Sequence, residues 1–400
     1  MKILLADALA STCVEILERE GHTVFNRPKL KGDDLVEALS SLEPHVLVVR
    51  STKVPAVAME ANRSLELIVR AGAGYDNIDV NGASERGIFV ANCPGKNAAA
   101  VAELTIGLIL SLDRSIPDNV MQARAGAWNK ASFSKATGVK GQTLGLIGLG
   151  NIGKLVAKMA KGLDMNVIAW SRSLTEADAA ELGIQRRPSP LDVASEADVV
   201  SLHVASNADT RGLANRVFFE SMKDGAFFVN TTRSAVVDEE SLKWAMEAKG
   251  IRAAIDVMDG EPSYKEGDFD HPLKEHRGLY ITHHIGASTK QAQLAIAEEA
   301  VRVVLSYDVD GFVPNCVNLA AQSPATHMLT VRHLDRVGVL AAVLDVVRKA
   351  GWNVQEMENL VFSGAKAACA RIRFDGMPGD EILKSISDLP DVLAVSVIPL

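Results

Sequence analysis

The stretch "TLGLIGLGNIGKLVAKMAKGLDMNVIAW", residues 143–170, constrains this chain most. A short apolar run leads into Gly148, Gly150 and Gly153, spaced G-x-G-x-x-G, and apolar side chains then recur at helical intervals before a second apolar run. Strand, glycine turn, helix and strand in that order make a parallel βαβ unit. The glycine pattern alone also occurs in plain turns, but here a strand precedes it and a helix follows, the context in which it holds a dinucleotide. Glycines let the backbone approach a pyrophosphate. The helix start at Asn151 and Ile152 then offers unpaired N–H groups to its negative charge.

The same alternation runs along most of the chain. Apolar runs such as "HVLVVR" and "LELIVRAG" alternate with helical segments such as "GDDLVEALSSL", and the opening "MKILLADALAS", stopped by Asp7, reads as a first strand rather than a signal peptide. "AAAVAELTIGLILSLDRSI" is too evenly apolar for one amphipathic face, so it reads as a buried helix crossing between two α/β units. Beyond the glycine unit, "ADVVSLHV", "GAFFVNTT", "RAAIDVM" and "LYITHH" are short and apolar on both faces, as buried parallel strands are, with the sheet ending near Ile285. A helix, "TKQAQLAIAEEAVRVVLSY", and a linker, "GFVPNCVNLAAQSPAT", follow. From His327 the pattern reads βαββαβ, the ferredoxin-like plan. The expected fold is α/β with two doubly wound parallel-sheet domains and a ferredoxin-like tail. Residues 1–97 with 286–311 form a substrate-binding domain, 98–285 the Rossmann dinucleotide-binding domain, 312–325 the linker and 326–400 the tail.

Composition narrows the function classes. With 400 residues, 48% hydrophobic and 23% charged, the chain is that of an ordinary soluble protein, expected in the cytoplasm, and no apolar run is long enough to span a membrane. A net charge of -8 argues against nucleic-acid and anionic-membrane partners, yet leaves room for a local basic pocket. Cys13, Cys93, Cys316 and Cys369 show no CxxC spacing and no histidine at zinc-ligand distance, so free thiols and no metal are expected.

Cofactor choice depends on the tip of the second strand. An NAD site usually places Asp or Glu there to accept from the ribose 2′-hydroxyl, but in "AWSRS" Ser171 takes that place and Arg172 follows. An arginine can pair with a 2′-phosphate, so NADP is expected to be at least tolerated beside NAD. The other reading keeps Arg172 solvated and Ser171 on a ribose hydroxyl of NAD.

Three loops after successive strands carry candidate chemistry: "NTTRSAVVDEESL" with Arg233, "AIDVMDGEP" with Asp256 and Glu261, and "ITHHIGAST" with His283 and His284. Singly each has a bland alternative, as salt bridge, solvated turn residue or strand-end cap. Together, after the last strands of a dinucleotide-binding unit, they suit hydride transfer on a 2-hydroxy acid. A guanidinium holds the carboxylate, an imidazole that titrates near neutrality carries the hydroxyl proton, and a carboxylate stabilises the imidazolium.

These residues resemble the D-isomer-specific 2-hydroxyacid dehydrogenase family. "VRAGAGYDNIDV", "VAELTIGLIL", "LGLIGLGNIG", "DVVSLHV", "VNTTRSAVVDEESL", "AAIDVMDGEP" and "THHIGAST" follow one another as that family's signature segments do. The resemblance implies catalytic roles for Arg233, Glu261 and His284, places Asp256 beside the nicotinamide carboxamide, and adds His203, Thr232 and Gly286 to the cofactor contacts. Two positions depart from it. Ser234 stands where glycine is usual and His283 where proline is usual, but Ile285 and Gly286 directly after His284 keep the family register. Within the family the chain is most similar to the branch that oxidises 3-phosphoglycerate. That likeness implies a phosphate held by Arg50, Ser51, Arg70 and Lys130, with the backbone of Ala73 and Gly74 at the carboxylate. The rival branch reduces hydroxypyruvate or glyoxylate. A rival of another class is a dinucleotide-sensing protein without turnover, against which the intact Arg, Glu and His set argues.

The tail resembles an ACT module, which often accompanies the phosphoglycerate branch. Gly338 in "RHLDRVGVL" would let a helix start approach a ligand carboxylate, and His333 and Asn353 match serine-contacting positions, while Asp335 replaces an asparagine. The resemblance therefore implies L-serine as an effector and a homodimer or homotetramer as the assembly.

Overall fold

The computed structural model describes residues 1–262 and 267–400. It divides into two compact units, Met1–Asn318 and Leu319–Leu400. The fold is α/β: two parallel sheets in the first unit and an antiparallel sheet in the second.

The first sheet contains β1 (Lys2–Leu5), β2 (Thr23–Asn26), β3 (Val46–Val49), β4 (Leu67–Arg70) and β5 (Phe89–Asn92), in the order β2-β1-β3-β4-β5. All four residues of β3 are buried. Its apolar side chains pack on both faces, with Ile3, Val46, Val48 and Val69 in one layer and Leu4, Leu47, Val49 and Ile68 in the other. Strand order reverses between β1 and β3, and Asp7 and Arg50 follow those two strands.

The second sheet contains β6 (Thr143–Ile147), β7 (Asn166–Trp170), β8 (Gln185–Arg186), β9 (Val199–Leu202), β10 (Phe227–Asn230), β11 (Arg252–Ile255) and β12 (Leu279–Ile281), in the order β12-β11-β10-β9-β6-β7-β8. Its reversal lies between β6 and β9. The crevice beyond the strand ends at such a reversal is where open α/β sheets take ligands. Gly148 and His203 begin the loops there.

Two helices join the sheets. Helix Ala98–Arg114 buries Leu108, Ile109 and Leu112 against Val156 and Ala160 of helix Asn151–Gly162. It ends where Ser115 turns left-handed (φ 48°), and a separate helix, Ile116–Arg124, follows. Helix Lys290–Asp310, capped by Thr289, returns the chain and buries Ile296, Ala300 and Val304 in the first sheet's core.

One expectation needs correction. The last parallel strand stops at Ile281 and does not run to Ile285. Asp256, 2% exposed, accepts Thr282 Oγ1 at 2.6 Å and the backbone N–H groups of Ile285 at 2.9 Å and Gly286 at 2.8 Å. Those N–H groups bond to a carboxylate instead of a neighbouring strand, so the chain leaves the sheet.

The second unit has the element order βαββαβ: β13 (His327–Leu334), helix Val339–Lys349, β14 (Asn353–Val361), β15 (Ala367–Asp375), helix Asp380–Ser387 and β16 (Val392–Pro399). Its sheet runs β14-β15-β13-β16. Ala368, Ala370, Ile372 and Phe374 alternate inward from β15, and the last three pack in one core with Val343 and Ile386. Among the described residues no helix is long and apolar enough to cross a membrane, and no His, Cys, Asp or Glu cluster could hold a metal.

Candidate active site

Adjacent strands β10, β11 and β12 deliver Arg233, Glu261 and His284 on the loops beyond their carboxyl ends. Buried Asn230 shapes the first loop: its Oδ1 accepts from Thr232 N (3.0 Å) and Thr232 Oγ1 (2.6 Å), and its Nδ2 donates to the Arg233 carbonyl at 3.1 Å. The Arg233 guanidinium donates from Nη1 to the Thr232 carbonyl (2.8 Å) and from Nε to Asp76 Oδ2 (3.0 Å). A β-carbon on Gly74 would lie 1.8 Å from Arg233 Nη2, so glycine there is a condition of this arrangement.

Glu261 accepts the Met258 N–H on Oε1 at 3.0 Å, and its Oε2 lies 2.7 Å from His284 Nδ1. His284 has φ 51°, a left-handed conformation uncommon for a residue with a β-carbon. The Asp256 bonds to Ile285 and Gly286 hold it there. The left-handed turn breaks strand alternation. His284 therefore meets Glu261, while His283 is exposed and makes no side-chain hydrogen bond or ion pair among the described residues. The Glu261 hydrogen bond raises the His284 pKa above 6.5 against the opposing effects of burial and Arg233. Burial pulls Glu261 up, but the His284 hydrogen bond and charge outweigh it, so the carboxyl stays below its usual range.

Beside these loops lie two more arginines. Arg50 donates to Gln293 Oε1, and the loop that carries it is pinned by Asp7, whose carboxylate accepts from the N–H groups of Arg50 (2.7 Å), Ser51 (3.0 Å) and Thr52 (2.9 Å). Arg70 is half-buried, its enclosed Nε has no partner, and its side chain makes no hydrogen bond or ion pair among the described residues. Burial and the nearby charges of Arg233 and Arg50 bring its pKa down to about 10. A β-carbon on Gly72 would collide with Arg70 Nη1 at 1.6 Å. Ala73 and Gly74 belong to the same turn, where the Ala73 carbonyl accepts from Asn92 at 2.6 Å.

On the opposite wall, Gly148 (φ 100°) leaves a β-carbon only 2.5 Å from the His203 carbonyl, and one on Gly153 would sit 2.4 Å from the Gly148 carbonyl. These two glycines close the turn. A β-carbon on Gly150 meets nothing within 4 Å, and no side chain caps the Asn151–Gly162 helix. An open cradle at an uncapped helix start fits a pyrophosphate. Burial drives the His203 imidazole down to about 3, so it is neutral, with Nε2 3.0 Å from Ser201 Oγ. At the tip of β7, Ser171 is half-buried and Arg172 pairs with Asp209 at 3.2 Å on the surface.

The structure does not gather every expected residue. Lys130 is exposed in the turn after helix Ile116–Arg124, and its side chain makes no bond to Arg50 or Arg70. In the second unit, His333 lies opposite Ala368 and Asn353 opposite Asp375, so about 20 Å of β15 separates them within one copy. The buried His333 ring is engaged by the Leu334 carbonyl (2.8 Å) and Asn359 Oδ1 (3.2 Å), whereas Asp335 is exposed. Conversely, sequence reasoning passed over Asp7, Asp76 and Asn230, whose only local signal is a polar residue beyond or at the end of an apolar strand, and Gln293, in the first turn of helix Lys290–Asp310.

A parallel-sheet pair with a glycine cradle and an Arg, Glu, His set defines a class, and the comparisons agree with it. Residues 106–286 match the D-isomer specific 2-hydroxyacid dehydrogenase, NAD binding domain. The chain is 37% identical over 306 residues to a hydroxypyruvate reductase of Thermotoga maritima, covering 76% of this chain and 97% of that one. It is 35% identical over 352 residues to a D-3-phosphoglycerate dehydrogenase of Archaeoglobus fulgidus, covering 86% of this chain, and it spans 64% of that relative's length. An NAD+-bound 3-phosphoglycerate dehydrogenase structure from Entamoeba histolytica superposes with a TM-score of 0.66 at 28% identity over 80% of this chain and 99% of that one. The chain belongs to the D-isomer-specific 2-hydroxyacid dehydrogenase family.

Proposed function

We propose that the chain is a D-3-phosphoglycerate dehydrogenase, which interconverts 3-phosphoglycerate and 3-phosphohydroxypyruvate and so opens L-serine synthesis. The observation that carries this reading is the unpaired, half-buried Arg70 guanidinium, its Nε enclosed and the charges of Arg50 and Arg233 nearby, beside the His284–Glu261 pair. A substrate bearing both a carboxylate and a phosphate supplies the anions that three clustered guanidinium groups need. Arg233 holds the carboxylate beside Gly74. Arg50, Ser51 and Arg70 face the phosphate, with Lys130 as an added cation from the exposed segment. When bound, NAD supplies the hydride acceptor. His284 Nε2 takes the hydroxyl proton in oxidation and returns it in reduction, while Glu261 stabilises the charged ring from Nδ1.

Gly148, Gly150, Asn151, Ile152 and Gly153 would hold the pyrophosphate, Ser171 the ribose, and His203, Thr232, Asp256 and Gly286 would line the cofactor site. NAD is the main cofactor in this reading because Asp209 already engages Arg172; NADP is tolerated because Ser171 brings no repelling charge.

The second unit is read as a ferredoxin-like ACT module with L-serine as effector. Because one copy separates His333 and Asp335 from Asn353, a site using all three requires paired modules in a homodimer or homotetramer. The domain limits given above and a cytoplasmic setting, supported by four free thiols, complete the reading.

A second reading, hydroxypyruvate or glyoxylate reductase, is favoured by the near-full coverage of the Thermotoga relative. Initial rates with 3-phosphoglycerate, phosphohydroxypyruvate, hydroxypyruvate and glyoxylate, each with NAD(H) and NADP(H), decide between them. The highest kcat/KM is expected for the phosphorylated pair with NAD(H). A higher value for hydroxypyruvate or glyoxylate establishes the reductase, and tight cofactor binding without turnover establishes a dinucleotide-sensing protein.

A further inference from the structure

One carboxylate outside the Arg233, Glu261 and His284 set joins two of the loops that carry it. Glu239 is the first residue of helix Glu239–Lys249, six positions past Arg233. An acidic residue there ordinarily serves the helix N-terminus. Here that task is met by Asp238, whose side chain accepts the Ser241 N–H at 3.0 Å. Glu239 turns to the neighbouring loop instead. Its Oε1 accepts the Asp259 N–H at 2.8 Å, and its Oε2 lies 3.1 Å from His271 Nε2.

The hydrogen positions follow from a third bond. Leu273 N–H donates to His271 Nδ1 at 3.2 Å, so Nδ1 presents its lone pair and Nε2 carries the hydrogen given to Glu239. Both Glu239 oxygens therefore accept from N–H groups, at a place where the His271 and Glu239 side chains are only 8% and 21% exposed. Asp259 stands two residues before Glu261, with Gly260 (φ 70°) between them. Among the described residues this short turn has two anchors: Glu261 on the Met258 N–H and Glu239 on the Asp259 N–H. The 2.7 Å contact between Glu261 and His284 depends on where the turn sits.

We propose that Glu239 is a positioning residue: braced by His271, it ties the loop after β10 to the loop after β11 and so holds Glu261 against His284. The inference rests on the reading that the His284–Glu261 pair moves the substrate proton. Among the described residues, the charges facing His284 are Glu261, Asp256 and Arg233, and those facing Glu261 are His284 and Arg233. Of these only Glu261 rides on the turn that Glu239 anchors. Loosening that turn therefore weakens the one hydrogen bond that most favours the charged imidazole.

The test uses the full chain with Glu239→Ala, Glu239→Gln and, in parallel, His284→Gln. It reads kcat, KM, melting temperature and the pH dependence of kcat/KM for hydroxy-acid oxidation, which rises with pH as His284 loses its proton. In Glu239→Ala, kcat is expected to fall roughly tenfold with KM for the cofactor little changed. The rising limb is expected to move down by about half a pH unit or more, toward an ordinary histidine. Glu239→Gln keeps an acceptor for Asp259 but sets an amide N–H against His271, so a smaller shift in the same direction is expected. Glu239→Gln decides by itself if Glu239→Ala does not fold. An unmoved limb in the folded variant, with or without a lower melting temperature, makes the tie merely structural and overturns the proposal. If His284→Gln keeps its turnover, the failure lies with the underlying reading instead.

Discussion

Arg172 and Arg70 stand at the ends of parallel strands in different sheets, and each is a candidate for meeting a phosphate, yet their surroundings are opposite. The Arg172 side chain is 70% exposed and already paired with an equally exposed Asp209. A surface pair of this kind contributes about 0–1 kcal/mol and leaves little unsatisfied when broken. Arg70 is half-buried beside two other guanidinium groups, with its enclosed Nε unpartnered. Burying a charge without a partner is costly, so an arginine kept in that state is poised for an anion that arrives from outside. In the function proposed above, the contrast separates a site that would tune cofactor choice weakly from one that would select substrate strongly.

Substitutions can sharpen or break that contrast. The largest effect belongs to neither arginine but to the group both would serve. His284→Gln should lower kcat by about 10²- to 10⁴-fold, whereas His283→Gln should stay within a few-fold; steady-state assays that reversed the two would move the catalytic histidine by one residue. Next in size, Arg70→Ala should raise KM for 3-phosphoglycerate about ten- to a hundredfold, the worth of a lost charge-assisted bond. The rise for hydroxypyruvate, which has no phosphate, should be only a few-fold, and equal rises would dissolve the substrate half of the contrast. Smallest is Arg172→Ala, for which titration of cofactor fluorescence should show NADP binding weakened a few-fold and NAD binding nearly unchanged. A large loss for both cofactors would mean that the exposed pair matters as much as the half-buried cation.

Much of the site was legible as pattern. The glycine spacing between a strand and a helix marked the cradle, and three strand-end loops marked Arg233, Glu261 and His284, because both features repeat over a few residues and follow from local backbone geometry. Other parts were not. Asp76 pairs with Arg233 across 157 residues, and Gln293 meets Arg50 across 243. No local spacing connects such partners. Asp256 shows the same limit from within the motif: the resemblance assigned it to the cofactor, yet its carboxylate also takes three donors from residues 282–286 and shapes the loop that presents His284. Lys130, grouped with the arginines by resemblance, lies in an exposed segment.

Side-chain chemistry and periodicity, both local properties, were enough to determine the alternating α/β plan and the antiparallel tail. Tertiary structure decided what each group faces. It ended the last parallel strand at Ile281, put His284 rather than His283 against Glu261 through a left-handed turn, and left the half-buried Arg70 with its enclosed Nε unpartnered. Those outcomes depend on contacts between chain segments far apart in sequence, where burial and hydrogen-bond competition rather than local preference set the energy.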